Sequence, residues 1–126
     1  MARGSGPPGA RDNGAVSAND IPAALVELSS WIDRGNEHRD PEAATWARLA
    51  KITEEAGEVV AAYIGATGQN PRKGVTHSAA DVEDELLDVA ITALSAVEHL
   101  RGHDGRSLEL LEEKLRRILD RAAQSR

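Results

Sequence analysis

The chain has no cysteine and no phenylalanine, a single methionine, and among aromatic side chains only Trp31, Trp46 and Tyr63. Without cysteine it can form neither a disulfide framework nor a thiolate zinc site. No long apolar run and no signal-peptide pattern occurs, so a cytoplasmic protein is expected. With so few large rings, the core of a 126-residue chain that is 40% hydrophobic has to be built from Leu, Val, Ile and Ala. That is enough for one modest domain. An excess of positive charge is also lacking. The formal net charge of −6 argues against general binding of nucleic acid through its phosphates.

What is abundant is acid. Two clusters stand out, Glu54, Glu55 and Glu58 in TEEAGEVV, and Glu85 and Asp88 in DELLDVAI. On a helix, residues three apart lie about 60° from each other, so Glu55 and Glu58 project from one face, as do Glu85 and Asp88. If the two helices pack antiparallel, the pairs can meet. Four converging carboxylates would repel one another without a cation, and magnesium or manganese, which prefer oxygen ligands, would be held well there.

Acids make up 21 of 126 residues, so such offsets also arise by chance. On a helical wheel Leu49, Ile52, Ala56, Val59, Val60 and Tyr63 form an apolar stripe, and the glutamates fall largely on the far side, where a solvated face would also put them. A site is favoured by the scarcity of interleaved positive charge. Lys51 is the only basic residue between Arg48 and the following loop, and the like charges Glu54 and Glu58 cost about 0.2–0.5 kcal/mol in an isolated helix. Spacing alone leaves both readings open.

The E-E-x-x-E run at 54–58, the linker containing PRKG, and E-x-x-D at 85–88 followed by an apolar helix resemble the MazG-like, all-α nucleotide pyrophosphohydrolases. That superfamily includes dimeric dUTPases, dCTP pyrophosphatases and phosphoribosyl-ATP pyrophosphohydrolase. The resemblance covers about residues 20–120, and its specific part is the two acidic motifs with their order and separation. It implies a four-helix bundle that hydrolyses a nucleoside triphosphate between the α- and β-phosphates, giving monophosphate and pyrophosphate. By position it makes Glu55, Glu58, Glu85 and Asp88 the magnesium ligands, with manganese as a substitute, and Glu54 a supporting acid or a participant in water activation. It further implies a homodimer or homotetramer with sites near subunit interfaces, and a role in nucleotide-pool housecleaning. A free nucleotide suits the net charge, because the metal brings its own compensation.

Along the chain, residues 1–18 are rich in Gly, Pro, Ala and Ser without apolar periodicity and read as a disordered tail ahead of a domain at 19–126. Asn19 or Asp20 caps a first helix, with Pro22 in its opening turn and Ile21, Leu25, Leu28 and Ile32 at helical spacing. Trp31 near its end is expected in the core, with base stacking as the alternative that the resemblance suggests. Asp40, Pro41 and Glu42 open a second helix that runs to about Ile64. His38 and Arg39 just before it are within reach of a phosphate or base, or simply solvated.

The stretch from Gly65 to His77 reads as a loop whose only positive charges are Arg72 and Lys73. Folded over the acids, they would neutralise phosphates that the metal does not reach; otherwise they belong to a solvated turn. Ser78 and Asp81 have capping-box spacing and start a third helix to about Leu100. One stripe of it carries Val82, Leu86, Val89, Ala93, Val97 and Leu100, a second Leu87, Ile91 and Leu94, and the remaining sector Glu85, Asp88, Thr92, Ser95 and His99. His99 is expected at the surface. A fourth helix spans about Ser107 to Ala122, with a leucine face suited to closing the bundle or to a subunit contact.

Two other classes fit the composition. A di-iron or di-manganese carboxylate bundle normally uses E-x-x-H, and no histidine follows Glu55 or Glu85 at that spacing. A non-catalytic nucleotide- or metal-binding helical module shares every feature above. The preferred base is not legible.

Overall fold

A computed structural model describes residues 20–125. The expected disordered tail at 1–18 lies outside the described residues. Four helices follow one another: α1 (Ile21–Gly35), α2 (Pro41–Thr67), α3 (Ala79–Leu100) and α4 (Ser107–Gln124). The described residues form no strand, and none of their helices is long and apolar enough to cross a membrane.

Local chemistry sets the helix starts. Asp20 accepts a hydrogen bond from the Ala23 N–H (3.2 Å), Asp40 accepts one from Ala43 (3.2 Å), and a proline opens each helix. Pro is tolerated there because first-turn N–H groups have no intrahelical acceptor. At α3 the capping box is complete, with Ser78 and Asp81 each receiving the other's backbone N–H. α2 ends at Gly68, whose φ of 65° glycine adopts without strain.

The fourth helix start is unlike the others. Arg106 at the cap position of α4 makes no side-chain capping bond. Instead the fully buried carboxylate of Glu98, near the end of α3, accepts the N–H groups of Gly105 (2.9 Å) and Ser107 (2.8 Å). Burial pushes the Glu98 carboxyl up, but Ser107 and the Gly105 N–H outweigh it, so the net displacement is downward.

α2 and α3 share the largest packing surface, α1 lies on α3, and α4 touches α3 and α1 more lightly. Thr45 meets His99, Arg48 meets Ser95, and Glu55 meets Glu85, so α2 and α3 run antiparallel. Among the described residues the only buried hydrophobic side chains are Leu25, Ala62 and Ala96.

Several expected core positions are therefore corrected. Leu49, Val60 and Tyr63 on α2, and Leu86, Leu87, Ile91 and Leu100 on α3, are exposed. Trp31 is 66% exposed and is not a core residue. His99 in turn is not a surface residue; only 17% of its side chain is accessible. The polar sector of α3 faces inward onto α2, which turns part of each leucine stripe outward.

Candidate metal centre

The α2–α3 seam brings three of the five acidic candidates together. Glu55, Glu58 and Glu85 each place a carboxylate oxygen within 4.8 Å of the others. Glu55 and Glu85 are half-buried and Glu58 is exposed; 13% of the Glu55 side chain is accessible. One oxygen of Glu55 and one of Glu85 are buried without a hydrogen-bond partner among the described residues. Burial first, then the nearby Glu58 and more distantly Asp88, push the Glu55 carboxyl above its ordinary value, and Lys51 only partly offsets them. Asp88 thus acts on the cluster electrostatically but is not one of its three converging groups.

This donor set fits a hard divalent ion. It is all carboxylate oxygen, two of its oxygens lack the hydrogen bonds that buried polar atoms normally have, and burial, followed by repulsion from Glu58, keeps the Glu55 carboxyl hard to ionise. A cation would supply the missing partner and favour the ionised carboxylate.

The remaining candidates lie around this centre. Glu54 is not among the converging groups; it is 61% accessible and pairs with Lys51 at 3.2 Å, and Lys51 also reaches Glu55 at 3.6 Å. Arg72 and Lys73 are exposed and form no ion pair among the described residues. Their loop is tied down at its far end, where Thr76 N–H donates to the carbonyl of Gly65 (2.9 Å). Gly65 is two turns beyond Glu58 on α2, roughly 10 Å along the axis. His38 is exposed, and Arg39 donates to the Asn36 side chain (2.9 Å).

Two turns the other way along the seam lies a polar network. Arg48 Nη2 donates to Ser29 Oγ and to the carbonyl of Ser95 (2.8 Å), which also accepts the Ser29 hydroxyl (3.0 Å). Ser29 has then spent its proton, so His103 Nε2, 2.9 Å away, faces it as a donor. His103 Nε2 also approaches Asp33 (3.1 Å), and Asp33 receives His99 Nδ1 at 2.9 Å, while His99 Nε2 is 2.8 Å from Thr45 Oγ. Burial lowers the Arg48 guanidinium from its ordinary value, and Asp33 works against that shift.

Next to this network opens a cavity of about 420 Å³, lined by apolar Leu28, Ile32 and Ile91 and by Trp31, Arg48 and Ser95. Arg48 and Ser95 carried no expected role. The available signal was Ser95 standing on the same sector of α3 as Glu85 and Asp88.

Compared with models of protein families, with curated proteins and with solved structures, the chain gives no match. Fold and site together define an all-α protein with a carboxylate cluster between two antiparallel helices.

Proposed function

We propose that the chain is a metal-dependent nucleoside triphosphate pyrophosphohydrolase of the MazG-like type, cleaving between the α- and β-phosphates. The observation that carries this reading is the convergence of Glu55, Glu58 and Glu85 with two buried, unpartnered oxygens at the seam. The order and spacing of the acidic motifs, to which the resemblance attaches, support it.

Glu55, Glu58 and Glu85 are the proposed holders of magnesium, or of manganese in its place, with Asp88 completing the set from the next turn. Bound there, the ion supplies positive charge to triphosphate oxygens and acidity to water. Glu54, beside Glu55 and held by Lys51, is the proposed acceptor of the attacking water's proton. Arg72 and Lys73 are proposed to meet the outer phosphates, and Trp31, exposed at the cavity, to stack on the base.

The lack of cysteine and of a membrane-crossing helix among the described residues agrees with a cytoplasmic setting. The exposed Leu111, Leu115, Ile118 and Leu119 on α4 support a homodimer or homotetramer. The test is pyrophosphate release from canonical and modified nucleoside triphosphates and phosphoribosyl-ATP, with magnesium, with manganese and with chelator. Metal-dependent monophosphate and pyrophosphate are expected. Ligand-induced stabilisation without product would overturn the hydrolase and assign a non-catalytic binding module.

A further inference from the structure

If the acidic cluster holds phosphates, the nucleoside has to lie along the same seam. Arg48 stands seven residues before Glu55 on α2, and Ser95 ten after Glu85 on α3. In an antiparallel pair they therefore lie two to three turns, roughly 10–15 Å, from the carboxylates. The cavity opens there, and Lys51 belongs both to its lining and to the ion pairs with Glu54 and Glu55.

The polar part of this cavity is incomplete. Arg48 is 7% exposed, and although Nη2 is fully used, Nη1 is buried with no partner among the described residues. Ser95 Oγ is buried and unpartnered as well, while the carbonyl of the same residue already accepts two hydrogen bonds. Leaving such groups unmade is costly, most of all for a guanidinium. A guanidinium N–H can only donate, whereas a hydroxyl can donate or accept. The complement is a flat ring whose leading edge carries a carbonyl or an unprotonated ring nitrogen, with a group of either kind beside it. The walls suit the ring faces, and the exposed indole of Trp31 suits stacking.

We infer that this cavity takes the nucleobase edge first and that Arg48 Nη1 and Ser95 Oγ are its specificity-determining contacts, binding hydrogen-bond acceptors on the leading edge. The inference rests on the nucleotide reading above and names the part of the ligand that the metal centre does not touch.

It is tested without metal and without turnover. In the full chain carrying Trp46→Phe, Trp31 is the sole indole, and its fluorescence is titrated with adenosine, guanosine, cytidine and uridine. A difluorotoluene nucleoside, a shape mimic without acceptors, is titrated alongside. At least one natural nucleoside is expected to quench Trp31 saturably. The mimic is expected to bind about tenfold or more weakly, and Ser95→Ala and Arg48→Lys each to lose about tenfold in affinity for the preferred nucleoside. Arg48 also braces Ser29, so if Arg48→Lys fails to fold, Ser95→Ala, which keeps its backbone carbonyl, decides. Absence of quenching by all four nucleosides, equal affinity for the mimic, or unchanged binding in Ser95→Ala overturns the assignment. Nucleoside binding with no pyrophosphate release would sink the hydrolase reading alone.

Discussion

Asp33 and His99 join α1 to α3 through a 2.9 Å contact at Nδ1, and the other ring nitrogen, 2.8 Å from Thr45, extends the connection to α2. Three helices thus meet on one imidazole. The arrangement can be satisfied in two protonation states. A neutral ring accepts the Thr45 hydroxyl at Nε2, and a charged one donates to it while Thr45 turns its proton to the Pro41 carbonyl (3.2 Å). His99→Ala is expected to destabilise the fold by about 1–3 kcal/mol in a urea titration, because Asp33 and Thr45 lose a partner. A change within about 0.5 kcal/mol, as for a solvated surface residue, would contradict the clamp.

At the acidic centre, Glu58→Ala is expected to remove metal-dependent pyrophosphate release while leaving the helical circular-dichroism spectrum unchanged. Retained magnesium-dependent turnover would remove Glu58 from the ligand set. Glu54→Gln tests the proposed proton acceptor separately, and unchanged turnover would end that assignment.

The raised Glu55 carboxyl makes a further prediction about stability. Because the folded protein holds this proton more tightly than the unfolded chain, stability falls as pH rises from the ordinary value of 4.5 through the higher folded one, and stays reduced above it. Glu55→Gln is therefore expected to raise the melting temperature of the metal-free protein at neutral pH. Magnesium should reverse the ranking. At 100 times its Kd it stabilises the native chain by about 2.7 kcal/mol, a gain the variant should largely lack. Thermal scans with magnesium and with chelator check both halves, and a variant no more stable than the parent in chelator would count against the burial of that charge.

Glu98 titrates with the opposite sign. Its folded value lies below the ordinary 4.5, so its contribution is complete above that pH and is lost as pH falls through the folded value. Acid unfolding should accordingly begin below about pH 4.5 and be absent as a distinct step in Glu98→Gln. That variant should be less stable at pH 7 by about 1–3 kcal/mol, since one of the two N–H groups loses its acceptor.

Gly65 offers a purely steric test. A Cβ there would collide with Thr76 Oγ1 and the His77 ring, at the point where the loop carrying Arg72 and Lys73 returns to α2. Gly65→Ala is expected to cost about 1–3 kcal/mol, measured by chemical denaturation. A neutral effect would mean that the loop does not close on α2 in solution.

The helix boundaries were legible because their causes are local. An aspartate before a proline, or Ser78 three residues before Asp81, marks a start whatever the rest of the chain does. The convergence of Glu55, Glu58 and Glu85 followed from spacing once α2 and α3 were taken as antiparallel. What could not be read was the direction in which α3 faces. Periodicity gives the angle between stripes but not the side on which the neighbour lies. The sector with Thr92, Ser95 and His99 turned inward because Arg48, Asp33 and Thr45, distant in sequence, supply the hydrogen bonds that make its burial tolerable. Trp31, expected in the core, is exposed beside the cavity. The space beside it borders a guanidinium and a serine, not apolar side chains alone.

The capture of two N–H groups by Glu98 gives α4 a mechanical character of its own. A helix of 18 residues extends about 27 Å, yet its root is fixed by one carboxylate on the last turns of α3, and from Leu111 onward it is exposed. It is a long arm on a short axle. A small rotation of the α3 terminus, where His99 also grips Asp33, becomes a large sweep at the tip of α4. Whatever the apolar face of that arm engages is therefore attached, through Glu98, to the same helix that carries Glu85 and Asp88.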